Sequence, residues 1–188
     1  MANLKEIRTR IGSVASTMQI TSAMKMVSAA KLKRAQDAIT QMRPYAEKLR
    51  EILVNISSTL EGSAEGAYSQ EREVKKVLIV AIASNRGLCG AFNANIFKAA
   101  EKRIKEYEGK EVQVYAIGKR SADFFTGKYT VFNSNIEIFN DLNYEHVALM
   151  AEEVMDAFVG GEFDKVEIIY NEFKNAATQE VVTQQFIP

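Results

Sequence analysis

Cysteine, histidine, proline and tryptophan are scarce in this 188-residue chain. There is one cysteine, Cys89, one histidine, His146, two prolines and no tryptophan. A single cysteine excludes an internal disulfide and fits a reducing compartment. One histidine with one cysteine cannot build a zinc site without carboxylates, and no metal-ligand spacing appears. No run approaches the ~20 apolar residues of a membrane span. The opening MANLKEIRTR lacks the apolar core of a signal peptide, because a periodic helix begins at once. These absences predict a protein that is soluble, or peripheral to something larger. What is present, 47% hydrophobic and 9% aromatic residues, suits one good-sized domain or one domain with an extension.

Net charge is zero, but it is unevenly placed. Residues 1–50 hold ten Lys/Arg against three acids, and residues 51–188 hold fourteen against twenty-one. A basic arm on an acidic body suggests that the arm meets an acidic partner.

From Leu4 the apolar residues step by three and four: Leu4, Ile7, Ile11, Val14, Met18. The same register resumes at Leu32, Ala35, Ile39, Met42, Ala46, Leu49, Leu53, Ile56 and Leu60, a sustained heptad seam. Between the two runs it falls on polar Thr21, Lys25 and Ser28, while Ile20, Met24 and Val27 sit one position earlier. The stripe slips sideways inside ITSAMKMVSAAKLKRAQ, residues 20–36. That stretch also carries Lys25, Lys31, Lys33 and Arg34 with no acid. An unbroken helix over residues 4–60 would be roughly 85 Å long. Pro44 predicts a kink near Met42–Arg43 or a break, and the resumed register favours a kink. A single seam is not stable alone in water, and no later segment has matching length. Its partner helix is expected on another chain or on a segment absent from this one.

Residues 57–73 are small, polar and Gly-bearing, and read as a linker. Beyond them the period changes. Val74–Ser84 reads as a buried central strand, followed by a turn at Asn85–Gly90. A helix then runs to about Tyr107, with Phe92, Ile96, Ala100 and Ile104 on one face. Val112–Ile117 is a second strand, and Ser121–Phe125 a short helix. Tyr129–Phe132 and Ile136–Phe139 are strand-like pieces interrupted by Asn133–Asn135. A helix from about Tyr144 to Val159 is capped by Asp141 or Asn143, with Val147, Met150, Val154 and Phe158 as its inner stripe, and ends at Gly160-Gly161. Lys165–Phe173 and Gln179–Ile187 are joined too closely for a crossover helix, so they form an antiparallel pair. The fold class is α/β: a long N-terminal coiled-coil helix plus a Rossmann-like, mostly parallel sheet with an antiparallel edge strand.

Chemistry is hard to find in this body. The turn SNRGLCG, residues 84–90, is neither GxGxxG nor GxxxxGK. A tight structural turn is favoured over a nucleotide site. Cys89 as a nucleophile needs a base, and nothing local brings His146 to it, so a buried structural thiol is expected. Glu152, Glu153 and Asp156 read as a solvated face, with a docking surface for a basic partner as the alternative. The basic helix lacks stacking aromatics for nucleic acid, and its apolar seam is too narrow for a membrane surface. Met18 and Met42 fit ordinary coiled-coil packing. The register slip sets Met24 and Met26 apart, toward a different partner.

Together these motifs resemble the γ subunit of F-type ATP synthases. Residues 20–36 match ITxAMxMVxxxKLxRAQ. The opening LKEIRxRI (residues 4–11), RPYAE (43–47) and SNRGLCGAFN (84–93) match too, although many members carry Asp where this chain has Asn85. The family's chains end in a second long helix, antiparallel to the first. Its lack here is the missing seam partner, and suggests a shortened chain.

The resemblance implies a rotor and coupling subunit that is not itself an enzyme and needs no cofactor or metal. Residues 1–60 would be the shaft, half of an antiparallel coiled coil with Leu4, Ile7, Ile11, Val14 and Met18 in its seam. Residues 61–73 would be a linker and 74–188 an α/β foot. Ile20, Met24, Lys25, Met26, Val27, Lys31, Lys33, Arg34 and Gln36 would meet the acidic lever of the β subunit. Arg86, Gly87, Leu88, Cys89 and Gly90 would form a structural turn of the foot. Implied partners are the α and β subunits of the catalytic ring, the ε subunit and the c-ring. No nucleic acid is implied, and membrane association would be indirect, at the cytoplasmic face of a bacterial plasma membrane. The competing reading is an α/β enzyme with a helical oligomerisation arm.

Overall fold

The computed structural model describes residues 3–60, 66–69 and 71–188, and only the backbone of 57–60. The chain divides into two compact units, Met1–Ser63 and Ala64–Pro188. The linker expected over 61–73 falls partly on 61–65 and 70, which lie outside the described residues.

The first unit is built on one helix, α1 (Leu4–Leu60), of 57 residues. Asn3 Oδ1 accepts the Lys5 N–H at 3.2 Å, satisfying a free donor of the first turn. Glu6 sits in that turn, where a negative charge meets the positive end of the helix dipole. Thr9, Thr17, Thr21 and Thr40 each donate the side-chain hydroxyl to the carbonyl four residues back. Their hydroxyls are thereby satisfied within the helix. Pro44 does not break the helix, which runs through it. Proline removes one backbone donor, a local loss that the turns on either side outlast.

The second unit is a five-stranded sheet of order β3-β2-β1-β4-β5. Its elements are β1 (Lys76–Ile82), α2 (Phe92–Glu106), β2 (Glu111–Ile117), α3 (Lys119–Phe125), β3 (Val131–Asn135), α4 (Tyr144–Val159), β4 (Lys165–Phe173) and β5 (Gln179–Ile187). β1, β2, β3 and β4 are parallel neighbours, and β5 closes one edge antiparallel to β4. The expected architecture holds.

The central strand shows why. Alternate β1 residues point to opposite faces. Leu78 and Val80 enter one core with Val154 and Phe158 of α4. Val77, Ile79 and Ala81 enter the other with Ile96 and Ala100 of α2 and Phe125 of α3. A strand buried on both faces must be apolar throughout, as VLIVA is.

Local expectations fare unevenly. Asn143 caps α4, its Oδ1 accepting the His146 N–H at 2.9 Å. Val147, however, is exposed, and Ile138 from the connection before α4 joins the core instead. Asn133–Asn135 do not interrupt a strand but belong to β3, pairing with Tyr115, Ala116 and Ile117. Backbone pairing to β2 overrides their weak strand preference. Residues 136–139 bend away, with Asn135 Oδ1 accepting the Glu137 and Ile138 N–H groups.

Candidate functional site

Two groups of residues stand out, one in each unit. The first is residues 20–36 of α1. All are exposed except Gln36, which is half-buried. Successive residues turn by about 100° on a helix, so the stretch can be sorted by face. Ile20, Met24, Val27, Lys31 and Arg34 fall within an arc of roughly 80°. Three apolar side chains followed by two cations therefore form one continuous stripe. Lys25 and Gln36 point with the Leu4–Met18 seam instead. Met26 and Lys33 share a third direction.

The slip in the seam thus marks the start of a second stripe on another side of the helix. Both were legible in the spacing, through the angle between the stripes as well as the step within each. Where the seam crosses the slip, Val14, Thr17, Met18, Thr21, Ser22 and Lys25 line an open groove of about 500 Å³. Thr21 is less polar there than its name suggests. Its hydroxyl donates to the Thr17 carbonyl at 2.8 Å, so no unsatisfied donor faces a partner.

The second group is the turn at residues 84–90, at the carboxyl end of β1. Sheet order reverses between β1 and β4, the place where doubly wound folds usually receive ligands. Here the chain's own groups occupy the approach. Asn85 Oδ1 accepts the Lys119 N–H at 2.8 Å, and the Ser84 carbonyl accepts the Arg120 N–H at 3.1 Å. The free donors of the first turn of α3 are therefore already spent. Gly118 comes so close to β1 that an added Cβ would lie 2.1 Å from the Ala83 carbonyl oxygen. A crevice of about 350 Å³ is lined by Ile82, Ala83, Ser84, Asn85, Phe92, Phe139, Tyr170 and Asn171, none of them charged, a poor match for a phosphate. On the α3 side of the turn a second groove, about 400 Å³, is lined by residues 87–90 with Arg120 and Asp123, where the one cation faces an acid.

The turn itself is held from below by Asn93, which is nearly buried. Asn93 Oδ1 accepts the Ser84 N–H at 3.1 Å, and its Nδ2 donates to Ser84 Oγ at 2.9 Å and toward Cys89 Sγ at 3.2 Å. Above it the chain turns through left-handed backbone at Leu88 (φ 59°) and Gly90 (φ 60°). Leu88 is fully outside, and Cys89 and Arg86 are exposed. The expectation of a buried thiol is wrong, because the left-handed residues turn the loop tip out of the core. His146 is no partner for Cys89. It bonds the other way, with Nδ1 3.0 Å from the Asp141 carbonyl.

Two further polar clusters escaped the sequence reading. Glu153 was expected on a solvated face with Glu152 and Asp156, which are exposed. It is instead half-buried, accepting from Tyr115 Oη at 2.9 Å and Asn133 Nδ2 at 2.6 Å. Burial, and then this bond, push the Tyr115 hydroxyl well above its ordinary value. Glu167 on β4 is buried against α2, accepting from Arg103 Nε and Nη2 at 2.6 Å each and from Tyr107 Oη at 2.7 Å. Burial alone would raise the Glu167 carboxyl, but the Arg103 and Tyr107 bonds outweigh it and hold it below the usual glutamate range. Burial first, and Glu167 second, push Tyr107 up to about 12. This fork fixes α2 on the sheet, and an open groove of about 520 Å³ runs beside it, lined by Arg103, Lys165, Glu167, Thr183 and Gln185 among others. Among the described residues, no group of three or more His, Cys, Asp or Glu is placed to hold a metal ion. Nor is any helix of those residues long and apolar enough to cross a membrane.

A family model described as ATP synthase matches residues 3–188. The chain is 62% identical over 188 residues to the ATP synthase gamma chain of Flavobacterium johnsoniae, covering 100% of this chain and 66% of that one. It is 60% identical to that of Flavobacterium psychrophilum, with the same coverage. It thus spans 66% of the length of these curated relatives. Among solved structures, the Tetrahymena thermophila mitochondrial ATP synthase central stalk and c-ring contains a chain 27% identical. It aligns with a TM-score of 0.66 over 90% of this chain and 72% of that one. A rotor chain of the Euglena gracilis mitochondrial enzyme, 21% identical, shares the fold at a TM-score of 0.63 over 96% and 61%.

Proposed function

This chain belongs to the ATP synthase family, among its gamma chains, and from that we propose that it serves as a central-stalk rotor subunit. It turns inside a ring of α and β subunits and links ion flow through the c-ring to ATP synthesis or hydrolysis. It does no bond chemistry itself. The ring's β subunits do, and the chain sits with them at the cytoplasmic face of a bacterial plasma membrane, attached through its partners, ε among them.

The observation that carries this reading is α1: a helix of 57 residues with two distinct exposed stripes. The seam Leu4–Ile7–Ile11–Val14–Met18 has the spacing of a coiled coil and takes a second helix. The stripe Ile20–Met24–Val27–Lys31–Arg34 is left for the ring. Methionine is soft and adaptable, and exposed cations contribute on the order of 0–1 kcal/mol per pair. Such a face presses on successive acidic partners without being captured by one. The alternative, an enzyme with a helical arm, is opposed by the crevice at the sheet's carboxyl ends, where Asn85 and Ser84 already hold the α3 donors.

Co-purification with ATP synthase α and β subunits tests the reading, using both this chain and one extended to its relatives' length. Failure of the extended chain to assemble, or turnover of a substrate by the chain alone, would end it. Within an assembled complex, Met24→Lys should lower the coupling of ATP turnover to rotation, and Met26→Lys, which points elsewhere, should do so less. Equal effects would remove the facial assignment.

A further inference from the structure

The turn at 84–90 is tied to two remote elements through one side chain. Asn85 Nδ2 donates to the Ile136 carbonyl at 2.8 Å, while Asn85 Oδ1 accepts the Lys119 N–H at 2.8 Å. One carboxamide thus joins the β1–α2 loop, the first turn of α3 and the connection between β3 and α4. Neighbouring backbone bonds close the same junction: Gly118 N–H to the Asn135 carbonyl at 2.8 Å and Ala83 N–H to the Ile117 carbonyl at 2.9 Å. Beyond it the chain presents Arg86 and a fully exposed Leu88 in left-handed backbone. A non-glycine residue holds that conformation only when its surroundings fix it. The surroundings here are Asn85 on one side and Asn93 on the other.

The geometry points to Asn85 as a positioning residue, a two-sided latch that makes the β1–α2 loop and the 136–143 connection one rigid body, so that Arg86 and Leu88 form a stiff projection. Both halves of the amide are needed. A carboxylate at this position still accepts from Lys119 but has no proton for the Ile136 carbonyl, and places charge against that oxygen. The chemistry therefore separates the two arms: Asn85→Asp cuts one and keeps the other, and Asn85→Ala cuts both. The consequence for function, that a load on the projection passes into the sheet and does not bend the loop, rests on the rotor reading. The latch itself does not.

Hydrogen exchange on the whole chain, resolved by residue, tests it. In Asn85→Ala, exchange should rise by roughly tenfold or more at Lys119 and across 136–140, with the rest of the sheet still protected. In Asn85→Asp, Lys119 should stay slow while 136–140 quickens. A merely structural role would loosen both sites together in both variants. That result, or an Asn85→Asp pattern matching the unchanged chain, overturns the latch. If Asn85→Ala fails to fold, Asn85→Asp decides alone, since it retains the α3 bond. Torque in an assembled ATP synthase carrying Asn85→Asp tests the consequence. The selective exchange pattern with unchanged torque would keep the latch and refute its mechanical role.

Discussion

Ile11 on α1 and Ile96 on α2 are the same residue type on two helices of one chain. The first is 63% exposed and the second 0%. The contrast extends to both units. Along α1, Leu4, Ile7, Val14, Met18, Met24 and Leu53 are all open to water. In the α/β unit, residues 77–81 of β1 are covered on both faces. The α/β unit supplies its own hydrophobic driving force, at roughly 25 cal/mol for each Å² of apolar surface buried. α1 supplies only helix propensity and local bonds such as those of its threonines, and helices in water rarely stand on those alone. One unit buries a core of its own, and the other leaves its apolar residues open to water. That division suits the proposed rotor, whose helix would be covered by a second helix on one face while its far face stays available.

The sharpest way to break the comparison is to destroy one unit and leave the other alone. Gly118→Ala should do this. The added Cβ would lie 2.1 Å from a backbone oxygen of Ala83, and the residue sits at φ 89°, where an L side chain is strained. The two Ala83 atoms it would meet, O and C, are backbone and cannot swing away, so the junction of β1, β2 and α3 has to move. We expect a loss of more than about 4 kcal/mol in the α/β unit, enough to prevent its folding in many proteins of this size. Thermal unfolding followed by tyrosine near-UV signal should lose its cooperative transition. Helical content assignable to α1 should be the same as in the unchanged chain, and a parallel loss there would mean that the two units fold as one.

How far the sequence revealed this division follows from the range of the forces involved. The bounds of α4, β4 and β5 could be read directly, because cap, glycine stop and short connector are local signals. The mostly parallel sheet with one antiparallel edge followed from alternating elements and the short last connector, whereas the strand order β3-β2-β1-β4-β5 did not. What escaped depended on distant groups. Asn133 pairs with Tyr115, Glu153 takes its bonds from Tyr115 and Asn133, and Asn85 reaches Ile136 and Lys119. No local pattern announces an amide that serves a loop fifty residues away. The α1 stripes lie between these cases. Their step was visible, but the residues from Ile20 to Gln36 read as one patch until helical angle separated them.

A middle-sized effect comes from within the α/β unit. Glu167→Ala removes the buried partner of Arg103 and leaves it only Glu106 of α2, 2.6 Å from its Nη1. The side chain of Glu167 is 3% exposed, but that of Arg103 is 31% exposed and can turn to water. The loss should be about 2–3 kcal/mol, short of the roughly 3–5 kcal/mol seen when a wholly buried pair is broken. The same carboxylate gives a pH signature. Glu167 is held below its unfolded value, and Asp164 is too, through the Lys75 and Lys76 N–H groups working against burial. Their contribution is complete above the ordinary carboxylate range and is lost as pH falls through the folded values. The unfolding temperature of the unchanged chain should therefore drop below about pH 5, where free carboxylates begin to protonate, and drop less steeply in Glu167→Gln. Identical pH profiles would show that the fork does not set the acid limit.

The smallest effect is the most informative about α1. Ile11→Ala in this chain removes a side chain that is mostly in water, so stability should change by no more than about 0.5 kcal/mol. Alanine even favours the helix slightly. In a chain extended to its relatives' length, or in an assembled complex, the same substitution removes a seam residue that a second helix would cover. Its cost should then reach about 2–4 kcal/mol, the range for a large aliphatic side chain lost from a packed interface. The pair of measurements is a direct reading of when α1 acquires its partner. A large loss in the short chain would mean that the seam is already covered there, by self-association. Repeating the measurement across a hundredfold range of concentration would expose that, because only a seam shared between copies depends on dilution.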